Sequence, residues 1–336
     1  MSVPSDSPII STVPCAVCGN NRVELAGTLD RDGKPLQSVM CPRCGLVWND
    51  PRPSAEELRQ YYREQYRQDY KQTAEPKPKH TVRAARVACT RCAEITQAFR
   101  PQDEILDLGA GGGEVVYVLQ RLGYKARGIE PNEGYARFAR ERLGASVESG
   151  FWQEAPIPAG SVDAVTLFHV LEHIDQPLEA ISLIRKWLRP GGLLWIEVPC
   201  VEATCQAPIH RFHRAHLYNF NPGSLAALGR RAGYDVERTF TSADGGNVTA
   251  VLRRSETPPP ATIEVPGNAD RIRSVLQSHT NVAHFLKPAP YVRPVRKILE
   301  RMSESRAVKA GKDAKSLIDN EVDARLASGQ LKRVNT

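Results

Sequence analysis

The segment "FHVLEHID", Phe168–Asp175, sets His169, Glu172 and His173 at spacings of three and one. A second stretch, "IHRFHRAHLYNF", carries His210, His213 and His216, with Arg211 and Arg214 between them. Histidine titrates near neutrality, so it can accept a proton at physiological pH or, in its neutral form, ligate a metal. On a helical turn residues i, i+3 and i+4 share a face, so His169, Glu172 and His173 can act as one group. Three readings stand side by side. All three residues brace the turn, or they bind a divalent ion, or one histidine is a general base. Imidazole suits Zn2+ or Mn2+ better than Mg2+, and His210, His213 and His216 offer further ligands. Arg211 and Arg214 are spaced to clamp a phosphate or carboxylate, or else they form a solvated face.

Four cysteines make a second chemical group. "CAVC" and "CPRC" each run into a glycine, Cys18-Gly19 and Cys44-Gly45. The glycine supplies the open backbone angle of a tight turn that points two thiolates at one place. Two such turns bring Cys15, Cys18, Cys41 and Cys44 together as a tetrahedral Zn2+ site with no open position, hence a structural one. The stretch between them predicts two short strands around a hairpin at Asp32-Gly33. Together these features read as a zinc ribbon. Cys89 and Cys92 lack the glycine and lie in a helical pattern, which reads as structural.

The elements that must position these groups follow from "DEILDLGAGGGEVVYVLQRLGYKARGIEPN". Ile105–Leu108 is a short apolar strand. Gly109, Gly111 and Gly113 turn the chain into a helix, and the next strand ends at Glu130. Strand, glycine turn, helix, strand and terminal acid form a Rossmann-like βαβ unit, in which the acid can accept ribose hydroxyls. Asp107 directly before the glycines suits a ligand's ammonium and repels a pyrophosphate. "GSVDAVTLF" predicts a further strand, with His169 at its carboxyl end, the edge that lines the ligand crevice in open α/β sheets. "WLRPGGLLWIEVP" predicts a helix end, a Pro-Gly-Gly turn and another strand. A last helix and strand pair complete a doubly wound α/β sheet of seven strands.

"LDLGAGGG", "GIEPN", "VLEHI" and "LRPGG" resemble the class I S-adenosylmethionine-dependent methyltransferases over about Ala84–Arg254. The preceding "CPRCGLVWNDPRPS" resembles the zinc-binding region fused to a branch that methylates nucleotide-linked sugars or polysaccharide precursors. The resemblance implies that Asp107 and the backbone around Gly109 hold the amino-acid part of S-adenosylmethionine. It puts Glu130 on the ribose, Pro131 and Asn132 beside the adenine, and Phe151 or Trp152 stacked on it. It puts Phe168 and His169 beside the methionine part. In the sugar C-methyltransferases a similar stretch reads Tyr-His-Glu-His. Here His213 stands for the tyrosine, Ala215 for the glutamate, and His216 keeps the histidine. Loss of the acid weakens carbon methylation. Oxygen methylation needs a single proton removed, which one histidine can do, and His216 is favoured over His213.

The whole chain frames these expectations. Its 336 residues suit two or three domains, and at 41% hydrophobic and 25% charged it is neither disordered nor membrane-like. No apolar run spans a bilayer and no export signal opens the sequence, so the cytoplasm is the default. Expected boundaries are a ribbon over 1–53, a helical connector over 54–100, the methyltransferase domain over 101–254, a proline-rich linker over 255–268 and a basic helical extension over 269–336. Ser54 and Glu57 form a capping box before Tyr61, Tyr62 and Tyr66, of which Tyr62 is a candidate substrate contact. After residue 254 there are 14 Lys+Arg and 9 Asp+Glu, so +5 of the chain's +7 lies there. Val295, Ile298, Leu299 and Met302 make a stripe beside Arg296, Lys297 and Arg301, open to packing, peripheral membrane contact or phosphorylated substrate. The expected partner is a small-molecule or sugar acceptor, phosphorylated or not. A ribosomal-type RNA methyltransferase is the rival reading. The ribbon is not densely basic and no aromatic stacking platform accompanies it, which argues against nucleic acid. A cofactor-binding regulator without activity is a third reading, and the oligomeric state is left open.

Overall fold

A computed structural model describes residues 9–52, 56–57 and 75–334. The chain forms two compact units. One takes Met1–Pro53, Phe168–Arg185 and Ile196–Tyr291; the other takes Ser54–Leu167, Lys186–Trp195 and Val292–Thr336.

The first unit opens with strands β1 (Ile9–Ile10), β2 (Arg22–Leu29), β3 (Pro35–Met40) and β4 (Val47–Asn49). β2 and β3 pair antiparallel across the expected hairpin. Asp30 Oδ1 accepts from the N–H groups of Asp32 and Lys34, and Gly33 takes a left-handed φ of 76° that only glycine adopts freely. Met40, Val47, Val201, Phe212, Ala269 and Ile272 form one buried cluster. Apolar burial thus fastens the cysteine-bearing sheet to the histidine-rich stretch around Phe212 within the same unit.

In the second unit β5 (Glu104–Leu108) leads through the glycine turn into helix α2 (Glu114–Leu122), with α1 (Pro78–Ile95) before it. β6 (Lys125–Glu130), α3 (Glu133–Phe138) and β7 (Val147–Ser149) follow. β5 pairs in parallel with β6, and β6 with β7. Buried Leu106, Leu108, Val116 and Leu119 fill the space under this layer, as parallel strands covered by helices require. Cys89 and Cys92 are buried on α1. Burial pushes the Cys89 thiol up to about 12, which keeps it protonated and inert.

β8 (Val162–Phe168), α4 (Pro177–Trp187), β9 (Leu188–Pro199), β10 (Tyr218–Asn219), α5 (Pro222–Arg231), β11 (Tyr234–Thr241) and β12 (Asn247–Arg254) complete the sheets. The small sheet has the order β1-β2-β3-β4-β10 and the large one β11-β12-β9-β8-β5-β6-β7. The large sheet is a mixed seven-stranded Rossmann-like sheet. β11 and β12 pair antiparallel at one edge. Strand order reverses at β5, which therefore sits at the switch point where such sheets bind ligands. β9 differs from expectation. It starts at Leu188, ahead of the Pro-Gly-Gly sequence, and Gly191 accommodates the irregularity at φ 72°.

The remaining helices are α6 (Asn268–Ser278), α7 (Asn281–Phe285), α8 (Ala289–Ala310) and α9 (Ala314–Ala327). Asp313 caps α9 in a reciprocal box with Ser316, and Leu317, Ile318 and Val322 are its buried face. No helix among the described residues is long and apolar enough to cross a membrane.

Candidate functional site

Cys15, Cys18, Cys41 and Cys44 converge in the first unit. Cys15 Sγ lies 3.3 Å from Cys44 Sγ, and Cys18 Sγ 3.4 Å from Cys41 Sγ. Gly19 and Gly45 donate N–H bonds back to the carbonyls of Cys15 and Cys41, at φ near 72° and 75°. A tetrahedral ion with bonds of about 2.3 Å would hold its sulfurs about 3.8 Å apart, close to this crowding. The four thiols cannot share their protons evenly. Hydrogen bonds with Cys15, Cys18 and Cys44 drive Cys41 far below the usual thiol range, while those with Cys15, Cys18 and Cys41 drive Cys44 far above it. This donor set fits zinc.

The glycine turn of the second unit is shaped as a cradle. Gly109, Gly111 and Gly113 have φ of 71°, 57° and 79°. A Cβ on Gly113 would stand 2.6 Å from Ala139 Cβ, so both angle and space demand glycine there. The N–H groups of Gly109 and Ala110 both donate to Ile129 O, tying the turn to the end of β6. Glu130 is buried at that end. Its Oε2 accepts from Gly111 N and its Oε1 from Asn132 N, and a carboxylate has about four acceptor positions. Asp107 is buried and accepts from Thr166 Oγ1 at 2.6 Å. Burial pushes its carboxyl up to about 7, against the lowering effect of the Thr166 hydroxyl. A buried carboxyl held half-neutral beside an open glycine turn suits a cationic group such as the ammonium of S-adenosylmethionine.

Two aromatic residues flank this region differently. Trp152 is buried, with its ring edge-on to Trp187 at 6.0 Å. That indole belongs to the core, whereas Phe151 is half-exposed. Phe168 and Pro131 are also half-exposed.

The first unit gathers the histidines. His169 follows β8 directly, and among the described residues it alone is a non-glycine at positive φ, 57°. Such backbone costs of order 1–3 kcal/mol and clusters at functional sites. It is held by an N–H bond from His169 to Glu197 O at 2.8 Å. The His169 ring stands between two carboxylates, with Nε2 3.3 Å from Glu197 Oε1 and Nδ1 3.5 Å from Glu172 Oε1. Glu172 is fully enclosed, and neither carboxylate oxygen has a hydrogen-bond partner. Burial alone would raise its carboxyl, but His173, His169 and His216 hold it down to about 2. His173 Nδ1 donates to Ala215 O at 2.7 Å, and its Nε2 faces Glu172 Oε1, 3.7 Å away. Glu172, His173 and His216 bring ligand atoms within 4.8 Å of one another and can hold a metal ion.

His216 and His213 stack edge to face, with ring centroids 5.1 Å apart. Burial, then His173, pushes His216 down to about 3, and burial with Arg31 pushes His213 down to about 4. Both are neutral at physiological pH and hold a proton poorly. His169 is half-exposed and has the carboxylate partners. Arg211 also departs from expectation. It is half-buried, and its Nη2 lies 2.6 Å from His279 Nδ1, so the guanidinium turns toward α6 instead of standing free as a clamp. Arg214 is exposed and donates to Pro35 O. Tyr62 lies outside the described residues.

Two further residues of this arrangement carry no local sequence signal of their contacts. Glu197, the partner of His169, is an acid near the end of the otherwise apolar "LLWIEVP" strand, and that mismatch is its only signal. Asn49 is buried on β4, accepts from Ser38 Oγ, and donates through Nδ2 to the carbonyls of His213 and His216. It fixes the histidine loop to the cysteine-bearing sheet, a pairing no local pattern announces.

A family model described as a methyltransferase domain matches residues 58–239, more than half the chain. A Mycolicibacterium smegmatis protein named "Probable S-adenosylmethionine-dependent methyltransferase" is 28% identical over 155 residues, covering 45% of this chain and 59% of that one. A ubiquinone biosynthesis O-methyltransferase of Nitrosococcus oceani is 32% identical over 127 residues, 36% of this chain and 52% of its own. The O-methyltransferase resE of Aspergillus sclerotiorum is 28% identical over 176 residues, 48% and 66% respectively. The matches thus span between 52% and 66% of these relatives' lengths.

Proposed function

We propose a function from one premise: the chain belongs to the methyltransferase-domain family and is an S-adenosylmethionine-dependent methyltransferase. It methylates a hydroxyl of a small molecule or sugar, with His169 taking the proton. Relatives named as O-methyltransferases support oxygen as the acceptor atom. The sugar or nucleotide-sugar class rests on the sequence resemblance.

S-adenosylmethionine, when bound, supplies an electrophilic methyl group on a sulfonium. Asp107 would hold its ammonium, Glu130 its ribose and Phe151 its adenine. The carrying observation for the chemistry is the strained His169 between Glu197 and Glu172. The acceptor hydroxyl would give its proton to the neutral ring of His169 as its oxygen takes the methyl group, leaving the sulfonium sulfur as a neutral thioether. Glu197 orients the ring and stabilises the imidazolium that forms, in the manner of a histidine with a carboxylate partner. Positioning supplies much of the rate, up to about 7–11 kcal/mol where alignment is ideal. Cys15, Cys18, Cys41 and Cys44 would hold a structural zinc that takes no part in the reaction. Turnover of His169→Ala with a hydroxylated acceptor tests the assignment. A fall of about 10²–10⁴-fold with unchanged adenosylhomocysteine affinity supports it, and unchanged turnover refutes it.

A second reading is favoured by buried Glu172, whose oxygens make no hydrogen bond and whose Oε1 faces His169 and His173 at 3.5 and 3.7 Å. Glu172, His173 and His216 would hold a Zn2+ or Mn2+ ion, with Ala215 O fixing the His173 tautomer as outer-sphere partners do. Metal analysis separates the readings. Two ions per chain, falling to one in Glu172→Gln, support the second site.

A further inference from the structure

Helix α8 is built inside out. Of its 22 residues only Glu304 is buried. That carboxylate takes a two-pronged bond from Arg83 of α1, at 2.8 and 3.0 Å, and Arg86 Nη2 donates to Ser303 Oγ at 2.9 Å. Polar contacts therefore hold this helix to its own unit. Its outer apolar side chains stand exposed. Val292, Val295, Ile298, Leu299 and Met302 are 49–61% exposed. At about 100° per residue these five fall within an arc of about 120°, a continuous stripe. Solvated helices do not normally spend their apolar face on water, and exposed patches of this kind mark interaction surfaces.

The charges beside the stripe decide what covers it. From Val292 to Ala310 the chain has six Lys+Arg and two Asp+Glu, and one of those acids is the buried Glu304. Arg301, Met302, Ile298, Ser305 and Arg306 line one shallow depression, whose floor is mainly apolar and whose rim carries two guanidinium groups. Lys297, Arg306 and Lys309 are exposed along the same helix. Two copies laid face to face would oppose these cations to one another, which disfavours self-association. A surface combining acyl chains with phosphate groups matches both features at once. We propose that α8 is an interfacial anchor that lies in the headgroup layer of an anionic phospholipid bilayer, with the stripe against acyl chains and Arg301 and Arg306 on phosphates.

Sedimentation of the full chain with phosphatidylcholine vesicles, with and without phosphatidylglycerol, tests this. The expected result is binding to the phosphatidylglycerol vesicles alone, released by 0.5 M salt because the attraction is screened. Arg301→Gln with Arg306→Gln lowers partitioning by about 25-fold, at about fivefold per cation. Ile298→Asp with Met302→Asp abolishes it, and neither pair changes Tm, since no buried contact is lost. No binding to anionic vesicles at low salt overturns the proposal. So does equal binding by both variant pairs, or light scattering that shows a dimer dissociated by Ile298→Asp, which would give the stripe to a second copy.

Discussion

Asp107→Asn should uncouple donor affinity from pH. In the ligand-free protein burial holds the Asp107 carboxyl up to about 7, with Thr166 donating to Oδ1. Binding an ammonium requires the ionised form. At pH 6 only about one-tenth of the carboxyls are ionised, so affinity for adenosylhomocysteine should be about tenfold weaker than at pH 8, close to 1.4 kcal/mol. Asn keeps the acceptor for Thr166 and removes the charge. The ligand's α-amino group itself titrates at about 7.7–8.0, so the informative quantity is the ratio of wild-type to variant affinity at each pH. Isothermal titration in two buffers of different ionisation enthalpy gives both affinity and proton count. Wild type should release a proton on binding below pH 7, and the ratio should rise about tenfold from pH 6 to 8. The same carboxyl bears on stability. Its folded pKa lies above the ordinary 3.8, so the stability present below about pH 4 is lost as pH rises through about 7, at most about 4 kcal/mol. Asp107→Asn should therefore raise the ligand-free Tm at pH 8 and leave it unchanged at pH 4. A pH-independent affinity ratio, or a variant binding as tightly as wild type at pH 8, would refute this reasoning.

Other perturbations have outcomes of comparable definition. Gly113→Ala combines a left-handed φ with a Cβ 2.6 Å from Ala139, which costs about 2–5 kcal/mol and shows as a Tm several degrees lower with weaker donor binding. Asn49→Ala strips the buried carbonyls of His213 and His216 of their donor, about 1–3 kcal/mol for each; turnover should fall while donor affinity, measured by the same titration, stays constant. Cys18→Ser should lose one zinc per chain by elemental analysis and lower Tm. Zinc retained in full would remove the four-sulfur site.

Much of this arrangement was legible in the chain because its signals are local. "CxxCG" twice, "LDLGAGGG" and "GIEPN" each write a turn, a cap or a strand end into a few residues, and the structure builds the ribbon-like cysteine cluster and the βαβ unit from them. What stayed hidden depends on contacts between distant segments. Trp152 reads like an adenine platform, but Trp187, 35 residues on, claims its ring. Arg211 reads like a phosphate clamp until His279 is brought beside it. His216 reads like the base from spacing, and no sequence pattern reports that His169 stands between Glu172 and Glu197. Charge type and spacing nominate the candidates, and burial decides among them.

A crystal structure of the chain with adenosylhomocysteine would decide most. The ligand is predicted to lie over the turn Gly109–Gly113, with its ammonium in hydrogen-bond contact with Asp107 and its ribose hydroxyls on Glu130. Adenosylhomocysteine lodged elsewhere, with Asp107 and Glu130 making only the bonds to Thr166, Gly111 and Asn132 described above, would contradict it.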